Sequence, residues 1–481
     1  MTAGRPTLLS RLLRGRGAAP RVGDALACAV LGLVARLTVV VWAAGRFPPA
    51  DDGHFYHVIA TRIAEGHGYT WLWPDGSVTY AAHYPVGYPA IVGGLYALFG
   101  VHPVVAMAFN AALGTLAVLA VHQVAASVAT RRGAVLAALL VALHPALVFY
   151  TPALMTEGVV AALIALAAWL VVRARRADAP RGWWVALGLV LGATTMVRPQ
   201  SLLLAPLFGA LTYPERAPGE ASRSWPRRLR GALVASLVAL AVCLPWTARN
   251  CARMGRCVFV SANGGWNLLI GAGPGATGTW VPIERAGIPP RCRNVFDEAE
   301  KDACFANAAL GQIARHPGHF IGLMPAKLAG TFDYSGAPGW YLHSSNPRAF
   351  DFRDKLRLGV LETVWERLDV LLALLALALW PAPRRRARWA VAALAGVFLF
   401  LHAAWIAYLG MAVCAALAGR ALSDHPPAAL AAGTIALTAA THAVFFGSGR
   451  YSMVCFTLVS ALAGSLFLRR PGRGRPEPAG A

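Results

Sequence analysis

A few ionisable residues stand at the edges of long apolar runs, where their types and positions could do chemistry. Asp51 and Asp52 directly follow an apolar run over 24–44. Glu157, in LMTEG, lies about five residues into a run that starts near Thr151, roughly 7 Å below its end at 1.5 Å per residue. Ionisable groups at membrane depth are costly and are functional candidates by default. Cations and polar tips accompany them: Arg198, Arg249 in LPWTARN, Lys327, Arg450 with Tyr451, and His83 with Tyr84 in HYPVGYP. A carboxylate can act as base on an acceptor hydroxyl. Arginines or a divalent cation can stabilise a leaving phosphate.

Each residue also has a plainer role. Asp51 and Asp52 suit the N-cap of a helix at 54–66. Glu157 could pair with Arg36, although Arg36 lies near the middle of its run and Glu157 near an end. Arg249, Lys327 and Arg450 suit interface anchoring, and His83 suits the tip of an interfacial loop. The functional reading rests on their falling on one side.

That side follows from the elements that carry them. Of 481 residues, 57% are hydrophobic and 14% charged, and the mean hydropathy is +0.53. Soluble domains carry roughly 25% charged residues. A soluble enzyme and a disordered scaffold are therefore poor fits, and a polytopic helical membrane protein is expected. The net charge of +22 comes from 41 Arg and only three Lys against 22 acids. The arginines sit in short clusters between apolar runs, a topology signal rather than a nucleic-acid footprint.

Twelve transmembrane helices are expected, near 24–44, 104–127, 133–150, 153–174, 182–197, 200–213, 230–248, 361–381, 387–404, 405–421, 428–446 and 452–469. The run 88–101 reaches only ~21 Å against a ~30 Å hydrocarbon core, so it should lie in the interface or re-enter. Twelve spans put the clusters at Arg131–Arg132, Arg173–Arg181, Arg223–Arg230, Arg384–Arg388 and Arg469–Arg470 inside. A thirteenth span at 88–101 would put all of them outside, against the positive-inside rule. The same register places 47–103 and 249–360 outside.

The chain then divides into a cytoplasmic basic segment 1–23, a catalytic membrane module 24–248 with external loop 47–103, an external mixed loop domain 249–360, C-terminal helices 361–469 and a cytoplasmic tail 470–481. A short helix should end at Gly66, and spacing predicts another over 297–316, stopped before Pro317. GGWNLLIGAGPGATGTW reads as a glycine-rich loop. Of eight cysteines, Cys28, Cys243, Cys414 and Cys455 lie in spans; Cys251, Cys257, Cys292 and Cys304 lie in the external loop. There the pairs Cys251–Cys257 and Cys292–Cys304 are favoured, because each closes a short loop.

No P-loop and no cytoplasmic domain are apparent, so an enzyme of this kind must act outside, where soluble nucleotide donors are not supplied. A lipid-borne donor fits: group transfer from a polyprenyl phosphate.

Asp52, Tyr56, Ile59, Ala60 and Gly66, spaced D-x-x-x-Y-x-x-I-A…G, resemble the first-loop motif of GT-C glycosyltransferases. The branch that is similar contains protein O-mannosyltransferases and lipid A aminoarabinose transferases. YPVGYP, LMTEG, LPWTARN and RY extend the likeness over nearly the whole chain. The resemblance implies an integral-membrane, inverting transferase that moves a sugar from a polyprenyl-phosphate donor to a lipid, glycan or protein acceptor, in the bacterial inner membrane and facing outward. It implies Asp52 as catalytic carboxylate, Asp51 as a neighbour able to help bind a cation, Glu157 as the second acid, and Tyr56, His83 and Tyr84 around the substrate. His83 and Tyr84 stand where aminoarabinose transferases carry an acid and a lysine, so the resemblance does not extend to that sugar. A transporter or flippase of lipid-linked glycans is the alternative; it should show inverted repeats, broken helices and charges at mid-membrane.

Overall fold

A computed structural model describes residues 19–176, 182–213, 221–401 and 403–469, without the side chains of 221–224. Most of the basic segment 1–23, Arg181 and the tail from Arg470 lie outside the described residues.

The N-terminal half comprises α1 (Val22–Ala43), α2 (Asp52–Ala64), the hairpin β1 (Thr70–Leu72) and β2 (Val78–Tyr80), α3 (Gly87–Phe99), α4 (Pro103–Ala126), α5 (Arg131–Ala142), α6 (Pro145–Phe149), α7 (Glu157–Ala174), α8 (Gly182–Val197), a 3-10 turn (Pro199–Leu203), α9 (Leu204–Leu211) and α10 (Ala221–Arg253). Seven shorter helices follow: α11 (Gly264–Ala272), α12 (Ile283–Ala286), α13 (Pro290–Arg293), α14 (Glu298–Arg315), α15 (Pro317–Gly322), α16 (Met324–Phe332) and α17 (Ala337–Ser345). The chain closes with α18 (Phe352–Leu379), α19 (Arg385–Phe400), α20 (Ala404–Ala416), α21 (Pro426–Val444), a 3-10 turn (Gly449–Ser452), α22 (Met453–Gly464) and a last 3-10 turn (Ser465–Phe467).

The protein is a helical integral membrane protein. Among the described residues, six helical segments are long and apolar enough to cross a membrane: Val22–Ala43, Pro103–Ala126, Glu157–Ala174, Trp225–Arg253, Pro426–Val444 and Gly449–Phe467. The other six expected spans are shorter, broken or charged. Residues 182–197, 200–213, 387–404 and 405–421 form helices shorter than a full crossing, and 361–381 belongs to the charged helix α18. The span expected over 133–150 is two pieces. Pro145 brings no N–H and its ring excludes the preceding turn, so α5 stops at Ala142. Arg36 takes up the freed carbonyls: it donates to Val141 at 3.2 Å and Ala142 at 3.1 Å. This break corrects the expectation of a single span over 133–150, and it explains a buried arginine without Glu157.

Small residues let these helices approach closely. Gly188 and Gly192 on α8 face Val238 and Val242 on α10. Gly133 and Gly464 meet where α5 crosses α22, and Gly209 meets Gly231. A side chain at any of these crossings would push backbones apart, and such close approach is what packs helices in lipid. Helix α22 is buried over nearly its whole length in a core shared with α4, α5, α7 and α18.

The segment 249–360 is helical, and the only strands among the described residues are in the hairpin. GGWNLLIGA, expected as loop, is helix α11; its glycines are places of close approach, Gly265 against α14 and Gly271 against Phe445. Asp297 caps α14, accepting from the Glu300 N–H at 2.9 Å. Cys251–Cys257 and Cys292–Cys304 are disulfide-bonded. A small core of Leu269, Ile270, Ile283, Cys292 and Phe305 continues into Phe446 and Tyr451, so this segment packs directly on the loop before α22.

Candidate active site

The sequence breaks its helices where the charged residues are needed. Asp52 is the first residue of α2, and Glu157 the first of α7. Arg198 lies between α8 and its 3-10 turn, and Arg450 within the 3-10 turn that opens α22. Four helix ends, distant in sequence, thus point into one place.

There the four residues form a chain of ion pairs. Arg450 donates to Asp52 at 2.8 Å, and its Nε lies 3.3 Å from Glu157. Arg198 pairs with the same Glu157 oxygen, and its Nε donates to the Thr156 hydroxyl at 3.1 Å. The Tyr150 hydroxyl donates to the other Glu157 oxygen at 3.2 Å. Glu157 is wholly buried; Asp52 and Arg450 keep 30% and 25% of their side-chain surface, so the cluster opens to one side at the Asp52–Arg450 pair.

Asp52 is held as an anion. Burial pushes its pKa up, but Arg450, by charge and hydrogen bond, together with the Tyr84 hydroxyl, brings it below the usual carboxylate value. Tyr84 donates to Asp52 at 3.1 Å, and the Tyr69 hydroxyl fixes Tyr84 through its carbonyl at 2.6 Å. Tyr56 packs edge-on beneath Tyr84, ring centroids 5.1 Å apart. Burial and the nearby Asp52 charge keep both phenols protonated, with pKa well above the ordinary tyrosine value. Tyr451 lies under both arginines, its ring centre 4.9 Å from the Arg198 guanidinium and 5.3 Å from that of Arg450.

Other expected site residues lie elsewhere. Arg249 donates to the carbonyls of Ala81 and Tyr69, both at 2.8 Å, and stacks on Trp246; it ties the hairpin to α10 and is outside the ion-pair chain. Lys327 is buried and donates to Ala443 at 3.3 Å and Val444 at 3.0 Å, capping the C-terminus of α21. Burial pushes its ammonium down to about 8. Both hold backbone carbonyls, which is neither the interface anchoring nor the phosphate binding expected from sequence. His83 adjoins the site through Tyr84, with its ring against Trp266 and its backbone N–H donating to Glu298 at 2.7 Å; burial lowers its pKa.

Asp51 diverges from Asp52. It takes a positive φ of 50° and accepts from Ser344 at 3.2 Å. Among the described residues no three or more His, Cys, Asp or Glu gather as a metal cage. Asp51 is turned away and Asp52 is bound to Arg450 and Tyr84, so two guanidiniums stand at the carboxylates. Tyr150, Thr156 and Tyr69 were not foreseen. Tyr150 reaches Glu157 across the irregular turn 150–156, which no helical periodicity announces.

Residues 83–248 match a family model described as dolichyl-phosphate-mannose-protein mannosyltransferase. Among solved structures, the chain is similar to the oligosaccharyltransferase AglB of Archaeoglobus fulgidus in complex with an inhibitory peptide and a dolichol-phosphate, at 15% identity and a TM-score of 0.46. That likeness covers 93% of this chain and 50% of the other, so the chain spans about half the length of that enzyme. It is also similar to ArnT of Cupriavidus metallidurans bound to undecaprenyl phosphate, at 16% identity and a TM-score of 0.39, covering 91% of this chain and 77% of that one. No curated protein matches. The likeness to the protein O-mannosyltransferase branch of the GT-C glycosyltransferases thus appears twice, in the spaced motifs and in the match of residues 83–248, the stretch that holds His83, Tyr84, Glu157 and Arg198.

Proposed function

We propose that the protein is a membrane glycosyltransferase that moves a sugar from a polyprenyl-phosphate donor to the hydroxyl of a lipid, glycan or protein acceptor. The observation that carries the reading is the Asp52–Arg450–Glu157–Arg198 chain, an ionised carboxylate beside two arginines at converging helix ends. Asp52 takes the proton of the acceptor hydroxyl as its oxygen bonds to the anomeric carbon from the face opposite the phosphate. The bond from that carbon to the phosphate oxygen breaks, and the configuration inverts. The leaving polyprenyl phosphate carries the electron pair away, and Arg450 and Arg198 receive its charge.

Donor binding also readies the base. A phosphate that engages Arg450 draws it from Asp52, and a carboxylate relieved of its cation is more basic. The bacterial inner membrane, with this site on the extracytoplasmic face, is the setting that suits a lipid-borne donor and the arginine clusters at the opposite helix ends.

The test supplies the purified protein in nanodiscs with a panel of undecaprenyl-phosphate monosaccharides and an envelope lipid extract. Release of undecaprenyl phosphate, dependent on acceptor, is expected for one sugar. Failure to bind undecaprenyl phosphate or any of these donors would overturn the reading.

A further inference from the structure

We infer that His442 is a positioning residue for the donor phosphate, acting through Tyr451; the inference rests on the function proposed above. His442 lies in the last turn of α21, and only 6% of it is exposed. Its imidazole stacks on the Tyr451 ring at 4.2 Å between centroids, with the planes 14° apart. A parallel ring at that distance covers one face of the phenol. The guanidiniums of Arg198 and Arg450 lie against the same ring, 4.9 and 5.3 Å from its centre. Tyr451 is therefore the floor of the arginine pair, and His442 is the support under it.

A second bond sets the height of that support. His442 Nδ1 lies 3.0 Å from the Phe446 carbonyl. A carbonyl only accepts, so Nδ1 carries the proton, and the neutral ring keeps its lone pair on Nε2. The bond holds the chain just past the end of α21. From there Gly447 donates to the Gly278 carbonyl at 2.8 Å, and Gly449 packs against the carbonyls of Tyr334 and Ser335. The strap that carries Arg450 is thus fastened on both sides, and its aromatic floor is fixed by one imidazole.

Buried aromatic stacks are common as plain packing. This one differs because the supported ring touches both cations that face the two carboxylates. Without the imidazole, Tyr451 gains room to tilt, and the guanidiniums lose a fixed ring to rest on. A phosphate that must meet two arginines at once is sensitive to how each is held.

Binding of undecaprenyl phosphate to the protein in nanodiscs tests this, with wild type, His442→Ala and His442→Phe compared. His442→Ala should weaken binding about tenfold, the scale of a lost cation–aromatic arrangement. His442→Phe keeps the stacked ring and loses only the bond to Phe446, so its affinity should fall less than that of His442→Ala. Turnover at saturating donor should change less than affinity in both. Wild-type affinity in His442→Ala, or equal loss in His442→Phe, would overturn the inference while leaving the enzyme reading intact. A wild-type protein that binds no undecaprenyl phosphate would defeat both.

Discussion

Tyr84 and Asp52 are joined by a hydrogen bond of 3.1 Å on the carboxylate oxygen that Arg450 does not use. Each oxygen of Asp52 therefore has its own donor, one neutral and one charged. The phenol aims the carboxylate, and the guanidinium holds it ionised.

Replacing Asp52 by Asn keeps the shape and removes the base. Transfer should fall by about 10²–10⁴, the usual loss for a positioned general base. Undecaprenyl phosphate binding should persist, since the arginines remain. An Asp52→Asn protein that transfers sugar at the wild-type rate would remove the assignment.

Arg450 sets the pH at which Asp52 titrates. In the free protein its pKa lies below the usual carboxylate value, so the acid limb of kcat/KM should fall below pH ~4. Arg450→Gln removes the lowering charge and leaves burial, which raises the pKa. The acid limb should then move to higher pH, and activity should be lost sooner as pH falls. The profile of residual activity against pH checks this; an unmoved limb would separate Asp52 from the titration.

The two arginines expected to bind phosphate should now behave differently. Arg450→Lys loses the fork that spans Asp52 and Glu157, so donor affinity should drop by tenfold or more. Arg249→Lys loosens the hairpin at Ala81 and Tyr69, and should lower Tm while leaving donor affinity within about threefold. Equal losses of donor affinity in the two variants would contradict the separation.

Helix α18 carries three buried acids, Glu362, Glu366 and Asp369, on one face. Glu366 accepts from the Tyr408 hydroxyl at 2.8 Å and Asp369 from that of Ser460 at 2.6 Å. With hydroxyl donors on both, amides should replace them. Glu366→Gln with Asp369→Asn should keep or raise Tm in detergent, whereas Asp369→Ala leaves Ser460 unpaired and should lower it. A collapse of the amide variant would show that charge is needed there.

The disulfides offer a separate check. Peptide mapping without reductant should recover Cys251–Cys257 and Cys292–Cys304 as linked pairs. Loss of the second should cost the 249–360 segment about 3 kcal/mol, the chain-entropy value for a loop near its length. Limited proteolysis there should quicken on reduction; free thiols at all four positions would refute the pairing.

The apolar runs and helix ends were legible because each depends on neighbours in sequence. Pro317 stops α14, Asp297 starts it, and the length of 88–101 matches the 13-residue α3. The carboxylates were found because acids beside apolar runs are scarce. The division among the basic residues was not legible. Arg249 and Arg450 each stand beside an apolar run in sequence, and only the fold turns one toward backbone carbonyls and the other toward Asp52. The burial of Glu362, Glu366 and Asp369 on α18 was not legible because the run 361–381 reads as a span whatever its three acids face. His442 and Tyr150 act through contacts that no spacing encodes.

Asp52 and Arg450 are 398 positions apart, so the pair that opens the site joins an early helix to a much later turn of the chain. During insertion, α2 is complete long before the turn that opens α22 leaves the ribosome. A nascent chain therefore presents its acid without the cation and Tyr451 platform that the reaction needs. Chains truncated before Gly449 should insert in the membrane yet, on the proposed reading, release no undecaprenyl phosphate from a donor.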